Sequence, residues 1–350
     1  MSRVPASDIR AGLTGLRRRF GRVLSLSHGD DGERATVADF LAAYRLLLGR
    51  APDDDARRDT LPRVEAGTVS VSQLVEEILG SEEFAMRHRR MSTTSAPEVR
   101  RVEADGFVLF VDMGDLVIGR AIAQSGVHEP ETSAVVRGRL SPGDTMVDVG
   151  ANIGWFTMLG ASCVGPTGRV LAVEPNPESC RLVEQSAAAN GFGNVSVVAA
   201  AASEHSGAAA LETDGSNGRI VPLDAGLAES MACSYVVPLR RLDDLVAEAG
   251  LSSLALVKID VEGAEPFVVG GGRESILRWH PTVVCEFSPV LLRGNFGSDP
   301  ADYLKELRSL GYELSVVGRE GTDDDETILS LFERDPAPDH VDLVATPSGP

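Results

Sequence analysis

From residue 145 onward, short apolar runs rich in Val, Ile and Leu alternate with stretches of helical periodicity, and few architectures accommodate that alternation. The runs fall at 145–149, 169–174, 195–200, 254–260, 282–287, 312–317 and 340–345, with the clearest intervening helices at Glu178–Asn190 and Asp299–Leu310. Strands that are apolar on both faces must be covered on both, so the pattern predicts an α/β fold: a mostly parallel sheet with helices on either side. At 350 residues the chain has room for a second, smaller domain.

That smaller part precedes the sheet. Residues 1–35 open with a basic amphipathic stretch, 8–26, in which Ile9, Leu13, Leu16, Phe20 and Val23 share a face and Arg17, Arg18 and Arg22 lie elsewhere. Such a helix suits packing on its neighbour, or peripheral contact with an anionic membrane surface. Residues 36–90 carry two further stripes, Phe40, Leu41, Tyr44, Leu47 and Leu48, then Leu74, Val75, Ile78, Leu79 and Phe84, with Ser72 and Ser81 as candidate N-caps. Met91–Glu98 reads as a linker, 99–345 as the large α/β domain, and 346–350 as a mobile tail.

Composition narrows the function classes. Fifty-two acidic against 33 basic residues give a formal charge of −19, which argues against nucleic acid as a partner. There is no run of 18 apolar residues and no apolar leader stretch, so the expected location is cytoplasmic, with no transmembrane segment. Cys163, Cys180, Cys233 and Cys285 form no C-x-x-C pair and are expected to be buried free thiols. The near-exclusive use of Arg over Lys, with only Lys258 and Lys305, fits a bacterial, GC-rich coding sequence.

The segment DTMVDVGANIGWFT, 144–157, runs a strand directly into a Gly-containing turn that opens a helix. Ligands of open α/β sheets bind at such turns. A dinucleotide fingerprint would place Gly where Asn152 and Trp155 stand, so the cradle for a pyrophosphate is broken. What remains is Asp148, Gly150, Asn152 and Gly154, with Asn152 able to adopt the left-handed conformation. Twenty residues after Gly154, Glu174 ends the next strand, where a carboxylate can accept both hydroxyls of a ribose. A ligand with a ribose, positive charge and no phosphate fits this set, and S-adenosyl-L-methionine is such a ligand.

The strings GVHEPET, VDVGANIGWFT, VLAVEPNP, RRLDDL and LVKIDVEGAE, in this order over roughly residues 105–345, resemble the FkbM family of S-adenosylmethionine-dependent methyltransferases. The resemblance implies the seven-stranded Rossmann-like class I methyltransferase fold, strand order 3-2-1-4-5-7-6, and O-methylation, often of sugars. It further implies that Asp148, Gly150, Asn152 and Gly154 line the methionine part, Glu174 and the following Asn176 the ribose side, and Glu129 a cover over the cofactor. After the third strand stand Ala201, Ala202 and Ser203, so Ser203 or backbone groups are expected to meet the adenine. The N-terminal strings YRLLLGRAPDDD and SVSQLVEEILGSEEF resemble a family of small helical modules of unassigned function found beside glycan-handling enzymes; a packing or homo-oligomerising unit fits them equally.

Lys258, Asp260 and Glu262 occur at period two, which in a strand puts all three on one side, toward its carboxyl end. Asp260 and Glu262 are candidates to orient the cofactor and to receive the proton of an acceptor hydroxyl, Glu286 at the end of the next strand is a third, and Lys258 is their counter-ion. Two of these carboxylates could instead hold Mg²⁺, although Gly263 and Ala264 stand where a further ligand would be wanted. Among the histidines, His280 falls at the sheet's amino edge, His28 and His88 in the N-terminal part, and His128 and His205 are left as alternatives for a base. Residues 206–238 fit an insertion over the substrate and ordinary loop structure equally well. The expectation is therefore an O-methyltransferase with a sugar or glycan acceptor; a catalytically silent glycan-binding or assembly scaffold and an NAD-dependent sugar oxidoreductase are the alternatives.

Overall fold

The computed structural model describes residues 34–37, 40, 44, 52, 54–70, 73–74, 77–78, 98–115, 118–214, 217–222, 234–334 and 337–348. The amphipathic stretch 8–26, Ser72, Ser81, His28, His88, Cys233 and nearly all of the linker 91–98 lie outside them. The chain divides into two compact units, the first containing residues 1–95 and 226–233, the second 96–225 and 234–350.

In the first unit the two hydrophobic stripes meet in one small core of Phe40, Val64, Val69, Leu74 and Ile78, with Tyr44 packed against it. Short helices span Asp54–Asp59 and Leu61–Glu65. Ser70 caps the helical turn that contains Gln73: the Gln73 N–H donates to Ser70 Oγ at 3.2 Å while the Ser70 N–H donates to Gln73 Oε1 at 3.0 Å. This reciprocal box uses a residue pair the periodicity did not single out.

The second unit opens with a hairpin, β1 (Val99–Ala104) and β2 (Phe107–Asp112), turned by Asp105 and Gly106, both at positive φ, as the tight Asp-Gly turn requires. The helices Gly119–Ser125 and Pro130–Arg139 come next. Then come β3 (Thr145–Val149), β4 (Arg169–Val173) and β5 (Val195–Val198), with the helices Trp155–Val164 and Pro177–Asn190 between them. Four short strands intervene: β6 (Ala201–Ser203), β7 (Gly207–Asp214), β8 (Asn217–Pro222) and β9 (Ser234–Arg241). After β10 (Leu256–Ile259) and β11 (Thr282–Phe287), the unit closes with β12 (Tyr312–Val316) and β13 (Val341–Pro347).

Seven strands form one sheet in the order β5-β4-β3-β10-β11-β13-β12. Counted along the chain within this sheet, that is 3-2-1-4-5-7-6. The first five are mutually parallel, and β13 runs antiparallel to both β11 and β12. All seven expected strands are present, each within about two residues of the expected bounds. β13 extends to Pro347, pairing Thr346 with Glu313, so those residues belong to the sheet rather than to a free tail.

Alternation along the strands sorts the core into two layers. Val147, Val149, Val257, Ile259 and Cys285 belong to one layer, together with Tyr303, Leu304 and Leu307 of the helix Pro300–Ser309. Met146, Leu256 and Val284 face the opposite way, against Met158 and Leu159. Fully burying side chains of this size stabilises by about 1.5–3 kcal/mol each. On the same side as Met146 the strands also carry Asp148, Lys258, Glu286 and Asp342, so the charged side chains share one face near the carboxyl edge. Among the described residues no helix is long and apolar enough to cross a membrane.

The segment 206–238 is a β structure of its own: β6-β9-β7-β8 make a second, four-stranded sheet. Leu211, Val237 and Ala201 form its small core, with Ile220 packed on it.

Candidate active site

A cleft opens where β3, β4, β5 and β10 end. β3 leads into Gly150 at φ +78°, whose missing Cβ would stand 1.8 Å from the carbonyl oxygen of Asp260. Only glycine lets the two loops approach so closely. Asn152 comes next in the left-handed region, φ 50°, as its side chain permits, and Gly154, φ +92°, starts the helix Trp155–Val164 against Val183. The Asn152 N–H donates to Glu174 Oε2 and the Asn176 N–H to Glu174 Oε1, both at 2.8 Å. Asn176 in turn caps its helix, its Oδ1 accepting from the Glu178 N–H at 3.0 Å. Glu174 is thus fixed in orientation at the cleft wall, and burial pushes its pKa up to about 7.

Behind the opposite wall lies the charged layer. Lys258 is 1% exposed, with its Nζ 3.3 Å from Asp260 Oδ2 and 5.0 Å from the centre of the Phe156 ring. Burial opposes its charge, but Asp260, Asp342, Glu129 and Asp148 outweigh burial and hold its pKa above the ordinary lysine value. Asp148 accepts from the Thr157 hydroxyl at 2.5 Å, and burial pushes its carboxyl up to about 6. Asp342 accepts from the Thr132 hydroxyl, and burial raises it as well. Glu286, buried and beside Asp260, Glu265 and Glu262, is pushed up to about 10. Glu265 braces the turn after β10, its Oε1 accepting from the N–H groups of Val261 and Gly263 at 3.2 and 3.1 Å.

Of the residues the sequence singles out, Glu129, Gly150, Asn152, Glu174, Asp260 and Glu262 line the cleft. Asp148, Gly154, Asn176, Lys258 and Glu286 stand behind its walls, where they brace the lining residues. Ser203 is off the cleft, because Ala200, Ala201 and Ala202 form that end and the Ser203 carbonyl packs on Gly271. Period two holds only from Lys258 to Asp260; β10 ends at Ile259, and Glu262 sits at φ 56° in the turn beyond it. His205 is 82% exposed and pairs outward with Glu204, whereas His128 lines the cleft between the rings of Trp155 and Phe156. Sequence reasoning missed Glu265, Asp342 and His340, whose Nδ1 lies 3.7 Å from Glu286 Oε1. Gly218 and Ile220 of β8 also reach the cleft, so part of the 206–238 segment does cover it.

Two features bear on what the cleft would hold. Three buried polar side-chain atoms among the described residues have no hydrogen-bond partner, and two of them, Glu129 Oε2 and Asn152 Oδ1, belong to residues lining this cleft. Both are acceptors. In addition, three of the five non-glycine residues at positive φ among the described residues, Glu129, Asn152 and Glu262, line it. Strained conformations of that kind persist where the surroundings over-determine them. Among the described residues, no three His, Cys, Asp or Glu side chains group so as to hold a metal ion.

The strand order and the cleft at the carboxyl ends of β3 and β4 define the class I methyltransferase fold. Residues 148–314 match the family model described as the methyltransferase FkbM domain. It is 32% identical to the 31-O-demethyl-FK506 methyltransferase FkbM of Streptomyces tacrolimicus, over 38% of this chain and 60% of that one. It is 50% identical over 42 residues to the 2-O-methyltransferase NoeI of Sinorhizobium fredii (strain NBRC 101917 / NGR234), which is 12% of this chain and 17% of that one. The chain thus spans less than two thirds of the length of these curated relatives. Among solved structures, the methyltransferase FkbM from Methylobacillus flagellatus KT aligns with 87% of this chain and 58% of its own, at TM-score 0.38 and 17% identity.

Proposed function

We propose that this protein transfers a methyl group from S-adenosyl-L-methionine to a hydroxyl group, the acceptor being a sugar or a sugar-bearing metabolite. The observation that carries the cofactor reading is the oriented carboxylate of Glu174 in a cleft whose lining residues Glu129 and Asn152 each keep a buried acceptor oxygen without a hydrogen-bond partner. A ligand that brings an ammonium, a sulfonium and a ribose diol supplies positive charge and donors to all three. In this reading Glu174 accepts from the ribose hydroxyls, Asn152 and Asp260 meet the methionine portion, and backbone groups of Ala200–Ala202 border the base. When bound, the cofactor supplies a methyl group already activated by its sulfonium, so the protein's part is chiefly alignment and exclusion of water.

The acceptor hydroxyl must also lose its proton. Glu286 stands behind the cleft wall, where burial beside Asp260, Glu265 and Glu262 favours its protonated form. That leaves Asp260 and Glu262, which line the cleft, as the groups to receive it. Lys258 keeps Asp260 oriented at 3.3 Å. The hydroxyl acceptor is favoured by the names of the two curated relatives, each an O-methyl or O-demethyl methyltransferase. The sugar rests on the resemblance of the N-terminal strings to modules found beside glycan-handling enzymes.

The test is calorimetric titration with S-adenosylmethionine, S-adenosylhomocysteine and NAD, followed by a screen of sugar acceptors by mass spectrometry for a gain of one methyl group. Binding of the first two without NAD is expected; NAD binding alone would return the reading to an oxidoreductase. With an acceptor in hand, Asp260→Ala should lower turnover by about 10²–10⁴-fold, and full activity in that variant would refute the assignment of Asp260.

A further inference from the structure

The second sheet turns one face toward the cleft. Its registers set Ala201 opposite Leu239, Ala209 opposite Val237 and Leu211 opposite Ile220, so alternation brings Ala201, Val237, Leu211 and Ile220 to the same side. There they form the small core of that sheet. Arg219 falls on the other side, exposed and paired with Glu212 at 2.6 Å. Ala201 and Ile220, from the two edge strands β6 and β8, also line the cleft, together with Ala200, Ala202 and Gly218.

The order of the strands locates this apolar patch along the cleft. Asp260 and Glu262 follow β10, Glu174 follows β4, and Ala200–Ala202 follow β5. In the order β5-β4-β3-β10, with strands ~4.8 Å apart, the end of β5 stands about 14 Å from the end of β10 and one strand beyond Glu174. The carboxylates, the imidazole and the amide of the lining all come from other segments; between residues 200 and 241 the described lining is Ala200–Ala202, Gly218 and Ile220 alone. The Ala200 N–H, moreover, is taken by the Val198 carbonyl at 3.0 Å. Such a surface suits a flat aromatic ring system. It is a poor one for sugar hydroxyls, whose hydrogen bonds to water would go unreplaced.

We propose that the second sheet covers the base of the cofactor rather than the acceptor, with Ile220 as the side chain that closes over the base. The inference rests on the cofactor reading above and deepens it by giving the inserted sheet a ligand. The acceptor then enters at the opposite end, beside Asp260 and Glu262.

Methyl-detected NMR on the full chain with labelled isoleucine methyl groups tests it, the Ile220 signal being assigned by its absence from Ile220→Val. With S-adenosylhomocysteine bound, a nuclear Overhauser contact from that methyl group to H2 or H8 of the purine is expected. In calorimetry Ile220→Ala should weaken S-adenosylhomocysteine about tenfold, whereas Arg219→Ala, on the other face of the same strand, should stay within twofold of wild type. Binding of S-adenosylhomocysteine with no contact between the Ile220 methyl group and the purine overturns the proposal, and so does an Ile220→Ala protein that binds within twofold of wild type. Equal weakening by Arg219→Ala overturns the role of the Ile220 side chain, because the effect would then belong to the integrity of the sheet. If the wild type binds no S-adenosylhomocysteine at all, the cofactor reading itself fails, an outcome distinct from the others.

Discussion

Replacing Lys258 with Met tests the electrostatic organisation of the whole cleft wall. The ammonium is 1% exposed and, among the described residues, is the lysine that acts on Asp260, Asp342, Glu129 and Asp148 together. Methionine matches its length and fills the space against Phe156, so the change removes charge with little loss of volume. Removing one partner of a buried ionic group leaves the others uncompensated, which destabilises by about 3–5 kcal/mol. In a domain of this size each kcal/mol shifts Tm by about 2–4 °C, so a drop of roughly 6–20 °C is expected. The deficit should depend on pH. Without the ammonium the carboxylates around the gap have still higher pKa values in the folded state, so the variant regains stability as they take up protons on acidification. Thermal melts followed by circular dichroism at pH 8 and pH 5.5 would show a deficit that is large at the first and smaller at the second. A Lys258→Met protein melting within 2 °C of wild type at pH 8, or with an equal deficit at both pH values, would refute the account of Lys258 as the counter-ion of this layer.

The wild-type protein should itself lose stability as pH rises. Asp148 at about 6, Glu174 and Glu265 at about 7 and Glu286 at about 10 are all raised above their unfolded values. Their contribution is fully present below about pH 4 and is lost as pH climbs through 6 to 7 and beyond; a Tm at pH 8 equal to or above that at pH 5.5 would contradict this. Gly150→Ala forces a Cβ to within 1.8 Å of the Asp260 carbonyl at a left-handed φ. Strain and overpacking of about 1–3 kcal/mol each should lower Tm measurably and abolish S-adenosylhomocysteine binding by calorimetry. Glu174→Gln replaces one of two oxygens with a donor, leaving the N–H of Asn152 or Asn176 facing an amide; affinity for S-adenosylhomocysteine should fall about 10- to 100-fold, and an unchanged Kd would remove Glu174 from the ribose site.

The sheet was legible in the sequence because burial on both faces leaves a run of apolar residues that a helix-forming or surface segment would not keep. The same held for Asn152, where a residue tolerant of left-handed backbone stands in a glycine-spaced turn, and φ 50° is what the structure contains. The acids behind the wall were harder to read. Asp342 belongs to the charged layer only because β13 runs antiparallel beside β11 and sets it opposite Glu286, a register no local pattern announces. Glu265 looks like an ordinary first-turn helix residue, yet it folds back to hold the N–H groups of Val261 and Gly263. The second sheet escaped notice because β6 has three residues and pairs with β9, more than thirty positions away. Ser203 is not among the lining residues: that end of the cleft is formed by Ala200, Ala201 and Ala202, and the Ser203 carbonyl lies against Gly271.

The placement of β13 has a consequence for how the molecule is assembled. The strand does not extend the sheet at an edge; it is inserted between β11 and β12, both of which precede it in the chain. Until residues 341–347 dock, β11 is an open edge and β12 has no partner in the sheet, so the parallel half can form early but the outer third cannot. Asp342 travels with this strand and His340 immediately ahead of it, which means that the acidic wall of the cleft is finished by the last strand to arrive. A chain interrupted before residue 340 would therefore be split through its sheet rather than merely shortened.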